Sequence, residues 1–92
     1  MIWSFKDSET AKVASGRFSK RFPTGIQARA FSKLDDLEQA DNLSDLAVAP
    51  GNRLEALKGD RKGQHSIRIN QQWRICSRWD DGAHDVEIVD YH

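Results

Sequence analysis

From Gly63 onward the apolar period of this chain changes from helical to two, and that switch limits the folds open to it more than any other feature. Ile67 and Ile69 fall on one face of an expected strand, while Ser66, Arg68 and Asn70 fall on the other. After the short connection Asn70-Gln71-Gln72 the alternation resumes. Trp73 and Ile75 share a face and Arg74, Cys76 and Arg78 share the opposite one, so a hairpin is expected. Asp80-Asp81-Gly82 reads as a second turn, and Val86 to Tyr91 as a last strand. Upstream, Ile26, Ala30, Leu34 and Leu37 recur at helical spacing, which predicts a core-facing helix opened by Pro23-Thr24-Gly25. Asp7-Ser8 marks an earlier helix ending near Gly16, preceded by a brief strand from Ile2 to Phe5. Asn42 to Leu57 reads as connective, with Pro50-Gly51-Asn52 as a turn and Leu43, Leu46 and Leu54 pinning it to the core. The expected architecture is α+β: an N-terminal strand and two helices packed on one face of an antiparallel sheet, the other face partly open.

A chain of 92 residues has material for one core, so a single domain covering 1–92 is expected. Its 38% apolar content, with three Trp and four Phe, suits a folded protein rather than a disordered one. The lone Cys76 cannot form an internal disulfide and reads as a small buried apolar residue. No apolar stretch approaches the ~18 residues of a membrane helix, and the opening Met1 to Asp7 lacks the apolar core of a signal peptide. A cytoplasmic location without membrane contact is expected.

Formal net charge is zero, yet the charges are segregated. Between Arg53 and Arg78 stand seven basic residues, Arg53, Lys58, Arg61, Lys62, Arg68, Arg74 and Arg78, against two acids, Glu55 and Asp60. Between Asp35 and Asp45 the acids stand without a single Lys or Arg. Such a molecule is a dipole whose basic region suits a polyanion.

With the apolar residues assigned to the core, the open sheet face is left with Arg68, Arg74 and Arg78. Arginine presents a planar fork of donors matched to phosphate oxygens, and a rigid strand holds it in place. Arg74 is central in the hairpin. The loop from Leu57 to Gly63 carries Lys58, Arg61 and Lys62 into the first meander strand; it precedes a strand, not a helix, and lacks a phosphate-loop signature. Asp90-Tyr91-His92 offers a carboxylate, a phenol and an imidazole that titrates near neutrality. Strand alternation puts Asp90 and His92 on one side and Tyr91 on the other, so spacing alone does not make a triad. His65 and His84 have no partner at a metal-ligand spacing, and no metal site is assigned.

Taken in order, Met1-Ile2-Trp3-Ser4-Phe5, Leu54-Glu55-Ala56-Leu57-Lys58-Gly59-Asp60-Arg61, His65-Ser66-Ile67-Arg68-Ile69, Gln72-Trp73-Arg74-Ile75 and Val89-Asp90-Tyr91-His92 resemble the HigB-type toxins of the RelE/ParE superfamily along the whole chain. The resemblance implies a RelE-like fold and a toxin that cleaves messenger RNA in the ribosomal A site without metal or cofactor. It also implies silencing by a HigA-like helix-turn-helix antitoxin, with operator DNA reached only through that partner. Carried over by resemblance, Lys58, Arg74, Asp90, Tyr91 and His92 occupy catalytic positions, with Glu55 as a further candidate where some HigB toxins have histidine. The basic residues Arg53, Arg61, Lys62, Arg68 and Arg78 are then the RNA-binding candidates. A same-fold toxin acting on gyrase, as ParE-like proteins do, and a binding module without catalysis are the competing readings.

Overall fold

Asp7 begins the first helix in the way its spacing to Thr10 suggests: its carboxylate accepts from the Thr10 amide at 2.7 Å and from the Thr10 hydroxyl at 2.9 Å. In the computed structural model, which describes residues 1–91, this helix, α1, spans Ser8–Ala14 and the second, α2, spans Thr24–Gln39. Pro23 stands just before α2, where its missing amide costs nothing. Four strands follow, β1 (Glu55–Ala56), β2 (Gln64–Arg68), β3 (Trp73–Trp79) and β4 (Ala83–Asp90). They form one antiparallel sheet in the order β1-β2-β3-β4.

The register explains the core. Ile67, Ile75 and Ile88 lie side by side across β2, β3 and β4, and each is buried. Against this row α2 sets Ile26, Ala30, Leu34 and Leu37, all four buried as their spacing predicts. Short α1 is fixed to the sheet by Thr10, whose hydroxyl also accepts from the Ile88 amide at 3.1 Å. Thr10 is fully buried, so that bond satisfies a backbone donor that water cannot reach.

Two segments differ in detail from the sequence expectation. Ile2 to Phe5 meets β4 through two isolated parallel bridges, Ile2 to Ala83 and Phe5 to Val86, in place of a continuous strand. Four residues are too few to sustain a ladder here, but they close one edge of β4. The connective stretch after α2 contains 3-10 turns at Leu43–Ala47 and Pro50–Asn52 and then supplies β1, so the meander has four strands instead of three. Leu46 is buried and Leu43 and Leu54 pack against the core, as expected of pins for a connection.

Candidate functional site

The sheet face turned away from the helices carries two kinds of residue. Leu57, Ser66 and Cys76 on it are buried, although the period alone would leave them facing solvent. Long charged side chains lie across the sheet: Arg61 donates to Gln64 at 3.0 Å and to Glu87 at 3.2 Å, and Lys6 meets the other Glu87 oxygen at 3.1 Å. The two cations thus converge on the one Glu87 carboxylate. Burial pushes the Cys76 thiol above its ordinary range, which makes it a small apolar filler, as the sequence suggests.

Arg74 is the best-fixed cation of this face. It pairs in register with Arg68 on β2 and Val89 on β4, and its side chain is 13% exposed. Nε donates to the Ser66 hydroxyl at 2.8 Å and Nη2 to the Arg53 carbonyl at 2.7 Å. The Tyr91 ring lies 5.7 Å from Cζ, within cation–π range. Glu55, exposed on β1, stands 3.9 Å from Nη2. Among the described residues no acceptor takes the Nη1 hydrogens. The arrangement can therefore offer a held, charged guanidinium edge to an oxyanion.

The remaining candidates divide by their partners. Arg78 is balanced by Asp80 at 3.9 Å and by Asp85 at 3.8 Å, beside a register shift in the β3–β4 ladder where Asp85 takes φ +53°. Arg61 is committed to Glu87. Among the described residues no ion pair or side-chain hydrogen bond engages the side chains of Arg53, Lys58, Lys62 or Arg68. Lys58 leads into the turn Gly59–Arg61 and lies three residues beyond Glu55, roughly 10 Å along an extended chain. Tyr91 shares the Arg74 face, and Asp90 belongs to the alternate set, paired with Trp73 and accepting from Gln72 Nε2 at 3.1 Å. That separation is the one strand alternation predicts. His92 lies outside the described residues.

Ser66 and the Arg53 carbonyl were not legible as site groups. A serine in an alternating strand looks like a solvated position, and a backbone carbonyl leaves no mark in a sequence. Among the described residues no group of three or more His, Cys, Asp or Glu is placed to hold a metal ion. Nor, among the described residues, is any helix long and apolar enough to cross a membrane.

A family model described as the RelE-like toxin of type II toxin-antitoxin system HigB matches residues 4–92. The chain belongs to the HigB-like toxins. It is 43% identical over 70 residues to Toxin HigB-1 of Vibrio cholerae serotype O1, covering 76% of this chain and 74% of that one. It is also 32% identical over 96 residues to Endoribonuclease HigB of Proteus vulgaris, covering all of both. An uncharacterized protein of Haemophilus influenzae is 26% identical over 77 residues. The α+β sheet described above is the RelE-like fold of this family, and membership makes the chain the toxin of a type II system, with an antitoxin as its partner.

Proposed function

We propose that this toxin is an endoribonuclease that cleaves messenger RNA in the ribosomal A site, using side chains in place of a metal, and that a HigA-like helix-turn-helix antitoxin silences it. The antitoxin is then also its route to operator DNA. Arg74 carries the reading: a guanidinium held by two neutral acceptors over an aromatic ring, with donors left for a phosphate. A relative covering the whole chain bears the name Endoribonuclease HigB, which supports the same reaction here.

In that reaction the ribose 2′-oxygen attacks the neighbouring phosphorus and loses its proton to a base. The bond from phosphorus to the 5′-oxygen breaks, and that oxygen receives a proton. The products are a 2′,3′-cyclic phosphate and a 5′-hydroxyl end. Arg74 and Lys58 stabilise the charge that builds on the phosphoryl oxygens. Tyr91 supports the Arg74 plane and can stack on a base. Asp90 and His92 handle the proton: Asp90 orients or accepts, and His92 carries it. Arg53, Lys62 and Arg68 are free to meet flanking phosphates. Arg61 and Arg78, already opposed by carboxylates, add less to RNA binding. Exposed Glu55 can move off Arg74 when RNA arrives.

Mapping messenger 5′ ends in bacteria after brief induction tests the reading, comparing the intact toxin with Arg74→Ala and with a chain lacking His92. In-frame cuts from the intact toxin alone are expected. Toxicity without new messenger ends, or with DNA damage in their place, would overturn it in favour of a gyrase-directed or purely binding role.

A further inference from the structure

We infer that Ser66 is a positioning residue that acts through Arg74, in concert with the Arg53 carbonyl, and that the neutrality of both acceptors preserves the charge of that guanidinium. The inference rests on the reading of Arg74 as the group that stabilises the phosphoryl charge.

The contrast among the arginines of this face carries the argument. Arg61 is held at 3.2 Å by the Glu87 carboxylate, while Arg78 has carboxylates only at 3.8 and 3.9 Å, as Arg74 has Glu55, and no neutral clamp among the described residues. Arg74 is held at 2.8 and 2.7 Å by a hydroxyl and a carbonyl, neither of which bears charge. A carboxylate at either place would fix the side chain equally well and cancel the field that a transition-state oxyanion needs. Glu55 is the carboxylate nearby, and it stands farther off, at 3.9 Å, with a side chain 54% exposed.

Both acceptors are themselves rigid. Ser66 is 1% exposed, on β2 between Glu55 on β1 and Cys76 on β3, so its hydroxyl cannot turn to water. Arg53 takes φ 44° and ψ 55°, a left-handed conformation that non-glycine residues adopt only where the surrounding structure holds it. The neighbour Asn52, 1% exposed, holds that turn in place: its Nδ2 donates to the Leu46 carbonyl at 3.0 Å and its Oδ1 accepts from Lys33 on α2. The chain of contacts therefore runs from helix α2 through Asn52 to the Arg53 carbonyl and the Arg74 fork. A fork held at two points loses little freedom when phosphate binds.

The test is a double-mutant cycle on single-turnover cleavage of ribosome-bound messenger, with Ser66→Ala, Arg74→Ala and the double variant. Ser66→Ala should slow cleavage by about tenfold or more while affinity for the loaded ribosome changes by less than ~3-fold. Ser66→Thr, which keeps the hydroxyl, should restore the rate. In the Arg74→Ala background Ser66→Ala should cost nothing further, because its effect travels through the missing guanidinium. Multiplying losses in the double variant, or a full rate in Ser66→Ala beside an inactive Arg74→Ala, would overturn the inference. Full activity of Arg74→Ala would instead sink the role given to Arg74, and no cleavage by the intact toxin would sink the ribonuclease reading itself. Should Ser66→Ala fail to fold, Ser66→Cys keeps the volume with a weaker acceptor, and its cleavage rate should fall in the same way.

Discussion

Replacing Glu55 by glutamine removes one negative charge and almost no volume, which isolates the competition between this carboxylate and an RNA phosphate for Arg74. The two groups are 3.9 Å apart, and the Glu55 side chain is 54% exposed. Coulomb's law in water at that distance gives roughly 1 kcal/mol. Exposed pairs measured in proteins yield ~0.2–1 kcal/mol, so the gain in RNA affinity or cleavage should be about 1.4- to 5-fold. Glu55→His should behave likewise, preserving or raising cleavage. The assay is single-turnover cleavage of ribosome-bound messenger at several salt concentrations, with melting curves to show that the fold is intact. The gain should shrink as salt rises, since above ~0.1 M the screening length falls below ~10 Å. A tenfold or greater loss of cleavage in Glu55→Gln would refute the competition argument and make the carboxylate a participant in the reaction.

Three further outcomes follow from other parts of the molecule. Gly82 takes φ +126°, and a Cβ there would lie 2.4 Å from Trp3 Nε1 and 2.8 Å from the Met1 carbonyl; Gly82→Ala should therefore cost about 2–4 kcal/mol, read as a lowered denaturant midpoint, and an unchanged midpoint would contradict the packing described. The Ser19 hydroxyl donates to Glu9 at 2.7 Å and holds its carboxyl below the ordinary 4.5, with Lys12 adding to the effect. A lowered folded-state value means stability that is present above 4.5 and lost as pH falls through the folded value, so Glu9→Gln should flatten the acid limb of melting temperature against pH, and an identical limb would remove Glu9 from the account. Cys76, fully buried with its thiol held protonated, should react with a thiol reagent only as fast as the protein opens; rapid labelling in native buffer would mean the charged cover over it is loose.

Local patterns were legible and non-local closures were not. The stripe of Ile26, Ala30, Leu34 and Leu37 announces α2 because helical spacing is a property of neighbours in sequence, and all four are buried. Alternation in β3 likewise sets Arg74 apart from Ile75, and alternation in β4 separates Tyr91 from Asp90. By contrast, Glu55-Ala56 is too short to show a period, and its pairing with Ser66 and His65 depends on a turn between them. The face period also misjudges exposure: Ser66 and Cys76 point away from the helices yet are buried, with the Arg74 guanidinium bonded to the Ser66 hydroxyl and the charges of Arg61, Glu87, Arg74 and Lys6 near Cys76. The centrality of Arg74 could be read from its hairpin. Its clamp could not, since one acceptor is a backbone carbonyl turned by the left-handed Arg53 and the other is a serine whose burial depends on side chains from other strands.

The bond from Ile88 to Thr10 joins residues 78 positions apart, and the bridges from Ile2 and Phe5 also end on β4. During synthesis, α1 and the segment before it must wait until all the intervening elements have been translated before the strand that closes their core exists. The same strand leads into Tyr91, the ring beneath Arg74. A chain made only as far as β3 thus has neither a closed core nor the ring that packs on the Arg74 guanidinium.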